Sequence, residues 1–217
     1  MTTSLIVPIV NYLPQLLIGL VSAGAALGGV LLTQHRIDKR ERAAAAKKAD
    51  EERLFISTEL VFVLEKFVEE CAEIVLDDGE ENADGEYYPT TSTPGGLKLD
   101  EISGNWRTLP ARIMYQIREL PILQNEAERQ VGAAAECCWN PPDHTEFFQA
   151  RQYQFARLGI KVLILSIRLR RLAGLPPTRL NATKWSAQTV FWTAWRNERK
   201  RRVKDTRWYR ELDQDDS

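Results

Sequence analysis

Histidine is nearly missing from this 217-residue chain, which carries only His35 and His144. Triads and imidazole-based metal sites therefore have almost nothing to build from. The chain also lacks a G-x-S-x-G elbow, a phosphate-binding loop of the G-x-x-x-x-G-K-[ST] type and an H-E-x-x-H pair. No arginine stands four to six residues ahead of either histidine, as the signature of helical ribonucleases requires. Catalysis has no support in these residues, and neither a cofactor nor a metal is expected.

Charge of one sign is missing as well. With 29 Lys+Arg against 30 Asp+Glu the net charge is −1, so no global field recruits nucleic acid or an acidic substrate. Any electrostatic partner must be met locally. The three cysteines form an odd set without a C-x-x-C pair, which suits a reducing compartment and argues against a disulfide framework. Cys137 and Cys138 are adjacent, whereas structural zinc ligands stand two to four residues apart, so all three thiols are expected as small buried apolar groups. No internal repeat points to a solenoid.

The longest uncharged helical stretch is Leu16–Thr33, LLIGLVSAGAALGGVLLT, and it ends against a basic collar that follows His35. A bilayer core of about 30 Å needs about 20 helical residues, which this stretch nearly supplies. The reading is a single transmembrane anchor within 1–34. Upstream, Pro8, Asn11 and Pro14 interrupt the apolar residues, so Leu5–Pro14 is placed near the interface, with a longer kinked span as the alternative. A cleaved signal peptide competes through Ala23-Gly24-Ala25, but Met1–Ser4 has no basic side chain and the apolar run continues through Val30, Leu31 and Leu32.

The collar sets the orientation. Arg36, Lys39, Arg40 and Arg42 follow the span directly, and moving such charges to mid-bilayer costs roughly 2.5–3.5 kcal/mol each on insertion scales. The chain is then an inner (plasma) membrane protein of bacterial type, with a short outward N-terminus and a cytoplasmic domain of about 180 residues, long enough for one core. Inside the span, Gly24 and Gly28 form a G-x-x-x-G, with Ser22, Ala25 and Gly29 beside them. Small residues let two helices approach closely in lipid, which points to a homo-oligomer; a span without a partner is the simpler alternative.

Residues 35–76 carry strong helix formers and read as one helix continuing from the anchor. Leu54, Val61, Val68 and Val75 recur every seven residues, with Leu64 and Cys71 between them, while Glu65, Glu69, Glu70 and Glu73 fall on a face expected to be solvated. Residues 77–107 are acidic at first and then rich in Thr, Pro and Gly, and read as a long exposed loop open to a partner. Glu80-x-Asn82-x-Asp84-Gly85 resembles the start of a calcium loop, but Thr91 occupies the position that needs a bidentate glutamate.

Residues 108–217 supply the remaining helices. Thr108 and Pro110 open one of them, Leu109, Ile113, Ile117 and Leu120 form its stripe, and Pro121 is expected to kink or end it. Asp143-His144-Thr145-Glu146 has capping-box form ahead of a core helix that Gly174 and Pro176-Pro177 terminate. A last helix is expected from Asn181 or Thr183, with Trp185, Trp192 and Trp195 on one face, followed by Arg196, Arg199, Lys200, Arg201 and Arg202. Three readings compete for it. The simplest puts the tryptophans in the core and the arginines in water. The others are contact with an anionic lipid surface and, more weakly, contact with nucleic acid.

The fold class expected is all-α: one transmembrane helix continuing into a cytoplasmic four- or five-helix bundle. The function expected is a non-catalytic, membrane-tethered interaction module, either scaffold, adaptor or regulator, that contacts membrane lipid and a protein partner. The competing class is a pore-forming or membrane-perturbing effector assembled through Gly24 and Gly28.

Overall fold

The computed structural model describes the backbone of residues 6–137 and 140–215 and the side chains of residues 34–137, 140–204 and 206. Among these the chain is helical almost throughout: α1 (Ile6–Leu76), α2 (Ala111–Cys137), α3 (Thr145–Leu172) and α4 (Ala187–Asp215). The expected all-α bundle is present. Between α1 and α2 lie a small antiparallel hairpin, β1 (Glu80–Glu81) with β2 (Tyr87–Tyr88), and two short 3₁₀ turns, Leu99–Glu101 and Trp106–Thr108.

Helix α1 is continuous over 71 residues, but contacts divide the chain into Met1–Glu51 and Glu52–Ser217. In the first unit the backbone is helical from Ile6, through Pro8 and Pro14. The side chains of Leu16–Thr33 lie outside the described residues, and so do the anchor and the packing motif of Ser22, Gly24, Ala25, Gly28 and Gly29 expected there. Among the described residues no helix is long and apolar enough to cross a membrane. Every residue from Gln34 to Glu51 is exposed, the collar Arg36, Lys39, Arg40 and Arg42 included.

In the second unit the rest of α1 becomes a core element. Ile56, Leu60, Val61, Leu64, Val68 and Cys71 are buried, which matches the heptad stripe from Val61 onward. Leu54 departs from it at 45% exposure, because the core begins only with Ile56. Helix α3 buries a broad face, from Phe147 and Phe148 through Phe155, Val162 and Leu163 to Leu169, as expected of the central helix, and leaves Arg157, Lys161, Ile164 and Arg168 exposed on the opposite side. A Cβ at Gly159 would run into the ring of Phe191, so only glycine lets α3 and α4 approach this closely.

Several local expectations are corrected. Helix α2 does not end at Pro121 but continues past it, unbroken for 27 residues. Proline removes one backbone donor, but Ile117 and Leu120 immediately before it are buried, and that packing outweighs the lost bond. Thr108 does not cap α2; its hydroxyl donates to the Asn105 carbonyl at 2.7 Å inside the preceding turn. Asp143 does not cap α3 either. The N-cap is His144, buried in a left-handed conformation at φ 46° with no side-chain cap bond. The chain makes its turn at Pro141–Asp143, leaving the Asp143 side chain exposed and one residue too early. At the far end, Gly174 takes φ +65° and the Leu175 N–H bonds the Arg170 carbonyl at 2.8 Å, closing α3 as expected.

The segment between α1 and α2 is more firmly held than its composition suggests. Leu97 and Leu99 are buried, Gln124 donates to the Pro94 carbonyl at 3.2 Å, and the Tyr87 N–H bonds the Pro142 carbonyl at 3.0 Å. In the stretch that resembles a calcium loop, the Asn82 carboxamide instead accepts from the N–H groups of Asp84 and Glu86 at 2.9 and 3.0 Å, shaping the hairpin turn.

Candidate functional site

The polar side chains of the bundle fall into two kinds of environment, and the buried ones fix the frame. Asp77, the residue after α1, and Arg151 on α3 expose 2% and 3% of their side chains and meet at 2.9 Å. Arg151 also donates to the carbonyls of Ile74 and Thr91. The Asp77 carboxylate accepts from the Gly79 N–H at 3.0 Å, the Thr90 hydroxyl at 2.9 Å and the Thr91 N–H at 2.9 Å. Burial by itself would raise the Asp77 pKa, but the hydrogen bonds from Thr91, Gly79 and Thr90 outweigh it and hold the group at about 2. Burial lowers the Arg151 pKa, opposed by the charge of Asp77. This is a satisfied ionic clamp that pins the 77–107 segment to α3.

A second pair ties α1 to α3. Arg170 grips Glu65 in fork geometry, Nε to Oε1 at 2.6 Å and Nη2 to Oε2 at 2.7 Å, and Ser166 donates to the same carboxylate at 2.7 Å. Burial opposes ionisation of Glu65, yet the bonds from Arg170 and Ser166 leave its pKa below the ordinary value. The expectation of a solvated acidic face is therefore wrong for Glu65, since the partner that covers it lies more than a hundred positions along the chain. It stands for Glu69 and Glu73, which are exposed.

Helix α4 carries the residues singled out as an anionic-surface contact, and the structure sorts them onto two faces. Inward, Ala187, Val190 and Phe191 are buried, and so is Glu198, which holds Arg201 at 2.8 Å and Arg202 at 2.7 Å. Arg202 also lies 4.6 Å from the Tyr153 ring centre on α3. Arg201 and Arg202 thus serve the bundle. Outward, Trp192, Arg196, Arg199 and Lys200 are exposed and Trp195 is half-buried. Trp192 and Trp195 meet edge to face at 5.7 Å, and the Arg199 guanidinium stands 5.4 Å from the Trp195 ring centre. A shallow groove runs between Trp195, Arg196, Arg199, Lys200, Val203 and Lys204.

The reading that puts the tryptophans in the core fails at Trp185 and Trp192, while Trp195 is half-buried. Trp185 is 71% exposed and precedes α4, because the Thr183 N–H and Ser186 hydroxyl close a turn at 2.9 Å and the helix begins only at Ala187. The core positions go to the smaller and more regular set Ala187, Val190 and Phe191. The thiols divide too: Cys71 is buried and its pKa is pushed well up by desolvation, Cys137 is exposed, contrary to expectation, and Cys138 lies outside the described residues.

The fold and this surface define a class, an all-helical bundle with a one-sided cationic and aromatic face on its last helix. No protein-family profile, curated protein or solved structure matches the chain.

Proposed function

We propose that the chain is a membrane-tethered helical interaction module, a scaffold, adaptor or regulator whose bundle is held at the cytoplasmic face of the inner membrane and engages a protein partner. The observation that carries the reading is the continuity of α1. One helix contains the uncharged Leu16–Thr33 stretch and the exposed basic collar, and its last turns supply Ile56, Leu60, Leu64 and Val68 to the core. Gly24 and Gly28 suit the tether to pairing with a second copy.

Two measurements test this. A reporter fused after Ser217 should be active only where it functions in the cytoplasm, and the opposite result overturns the orientation; the chain should resist alkaline carbonate extraction from membranes, and its release sinks the tether. Detergent-solubilised protein drawn from its native host should carry a partner in fixed stoichiometry, and a chain that comes out alone defeats the module reading.

A further inference from the structure

We infer that the outward face of α4, carrying Trp192, Trp195, Arg196, Arg199, Lys200 and Val203, docks on an anionic phospholipid surface. The inference deepens the tether reading, because a bundle already held at a bilayer needs only a weak attraction to lie down on it. Three observations carry it. The first is spacing: positions 192, 195, 196, 199 and 203 share one side of a helix, and on that side Val203 is 58% exposed and Trp192 37%. The second is charge. Arg196, Arg199, Lys200 and Lys204 have no ion-pair partner among the described residues, while Arg201 and Arg202 close by share the carboxylate of Glu198. Among its described residues this face gathers unpaired cations with no carboxylate, which makes it complementary to a surface of negative charge, against the opposing charge of the acidic tail Asp213–Asp216.

The third observation chooses between kinds of negative surface. Binding single-stranded nucleic acid through tryptophan requires an open ring face on which a base can stack. Arg199 lies 5.4 Å from the Trp195 ring centre and the Trp192 ring packs against it in a T-shaped pair at 5.7 Å, so that ring is already engaged. An exposed valine in line with the rings gains nothing from a phosphate backbone. It gains from the boundary between headgroups and acyl chains, where aromatic rings also reside.

The test uses the full chain reconstituted into vesicles of phosphatidylcholine, alone or mixed with phosphatidylglycerol, with brominated acyl chains as quenchers of tryptophan fluorescence. Quenching should increase when the anionic lipid is present. The increment should disappear in Trp192→Phe/Trp195→Phe and in Arg196→Gln/Arg199→Gln/Lys200→Gln, should shrink with added salt, and should survive in Arg201→Gln measured below its own melting temperature. Equal quenching in both lipids, or an increment that persists in the triple glutamine variant, overturns the inference. So does a single-stranded oligonucleotide that quenches these tryptophans where brominated lipid does not. A chain stripped by alkaline carbonate that still shows the anionic increment refutes the tether and leaves the docking face standing. A chain that stays embedded without the increment refutes the docking face alone.

Discussion

Arg151 on α3 and Arg199 on α4 show how differently one residue type is used within one bundle. Arg151 exposes 3% of its side chain and has a carboxylate and two carbonyls as partners. Arg199 lies in the open, with the Trp195 ring beside it and no ion-pair partner among the described residues. The difference follows from desolvation. A guanidinium taken out of water must be met by acceptors in good geometry, so burial makes Arg151 an organiser of whatever supplies them, here the 77–107 segment. A guanidinium left in water organises nothing and stays free for an external anion. Arg170, partly covered and forked onto Glu65, stands between the two.

The sharpest way to break the comparison is to strand the buried member. Asp77→Ala leaves the Arg151 charge uncompensated, and removing one partner of a buried pair costs about 3–5 kcal/mol. Urea unfolding should show a large fall in midpoint, and replacing both groups together, Asp77→Leu with Arg151→Met, should recover part of it. If Asp77→Ala is tolerated as a surface change would be, the clamp does not organise the segment.

Acid provides the same test without mutation. The pKa of Asp77 is depressed in the fold, from the ordinary 3.8 to about 2, so its contribution is fully present above the ordinary value and lost as pH falls through the folded one. Glu65 and Glu198 are depressed too, each against the pull of burial by bonds from their arginines, and add losses of the same sign that begin higher. Stability should therefore decline as pH drops below the ordinary carboxylate range and go on declining towards pH 2. In Asp77→Asn the lowest part of that decline should be missing.

Next in size is the intermediate pair. Glu65→Gln keeps the shape but removes the charge that accepts two bonds from Arg170, and a hydrogen bond to a charged group is worth about 1.5–3 kcal/mol. Partial exposure places the loss at the lower end of that range, below Asp77→Ala. A loss equal to or above that of Asp77→Ala would mean that burial does not rank these arginines.

How far the sequence could be read follows the same division. Helix periodicity identifies the buried stripes of α1 and α2 and the core status of α3, because a stripe is a local pattern. Val61, Val68, Ile117 and Leu120 are all legible in that way. Neither ionic tie is, since Asp77 and Arg151 are 74 positions apart and Glu65 and Arg170 are 105. Asp77 looked like the first residue of an acidic loop, and the only hint of its role is the Thr90-Thr91 pair, whose N–H groups and hydroxyl reach back to it. On α4 the aromatic and basic residues were evident, but which arginines faced inward depended on Tyr153 of another helix. Spacing also misplaced Trp185, because it assumed a helix where a Thr183–Ser186 turn stands.

The smallest predicted effect on stability is at the exposed end of the comparison. Arg196→Gln/Arg199→Gln removes two charges that hold no ion pair among the described residues, and a surface substitution away from such features moves the unfolding midpoint little. The urea midpoint should match wild type within error, and salt should leave the difference unchanged because no internal pair is screened. Arg202→Gln, three positions further along the same helix, supplies the contrast. It gives up the 2.7 Å bond to buried Glu198 and the contact with the Tyr153 ring, so it should be measurably less stable than the double variant although it removes half the charge. If the order were reversed, Arg196 and Arg199 would be holding the bundle together, and α4 would have no outward face left for a partner or a lipid surface to meet.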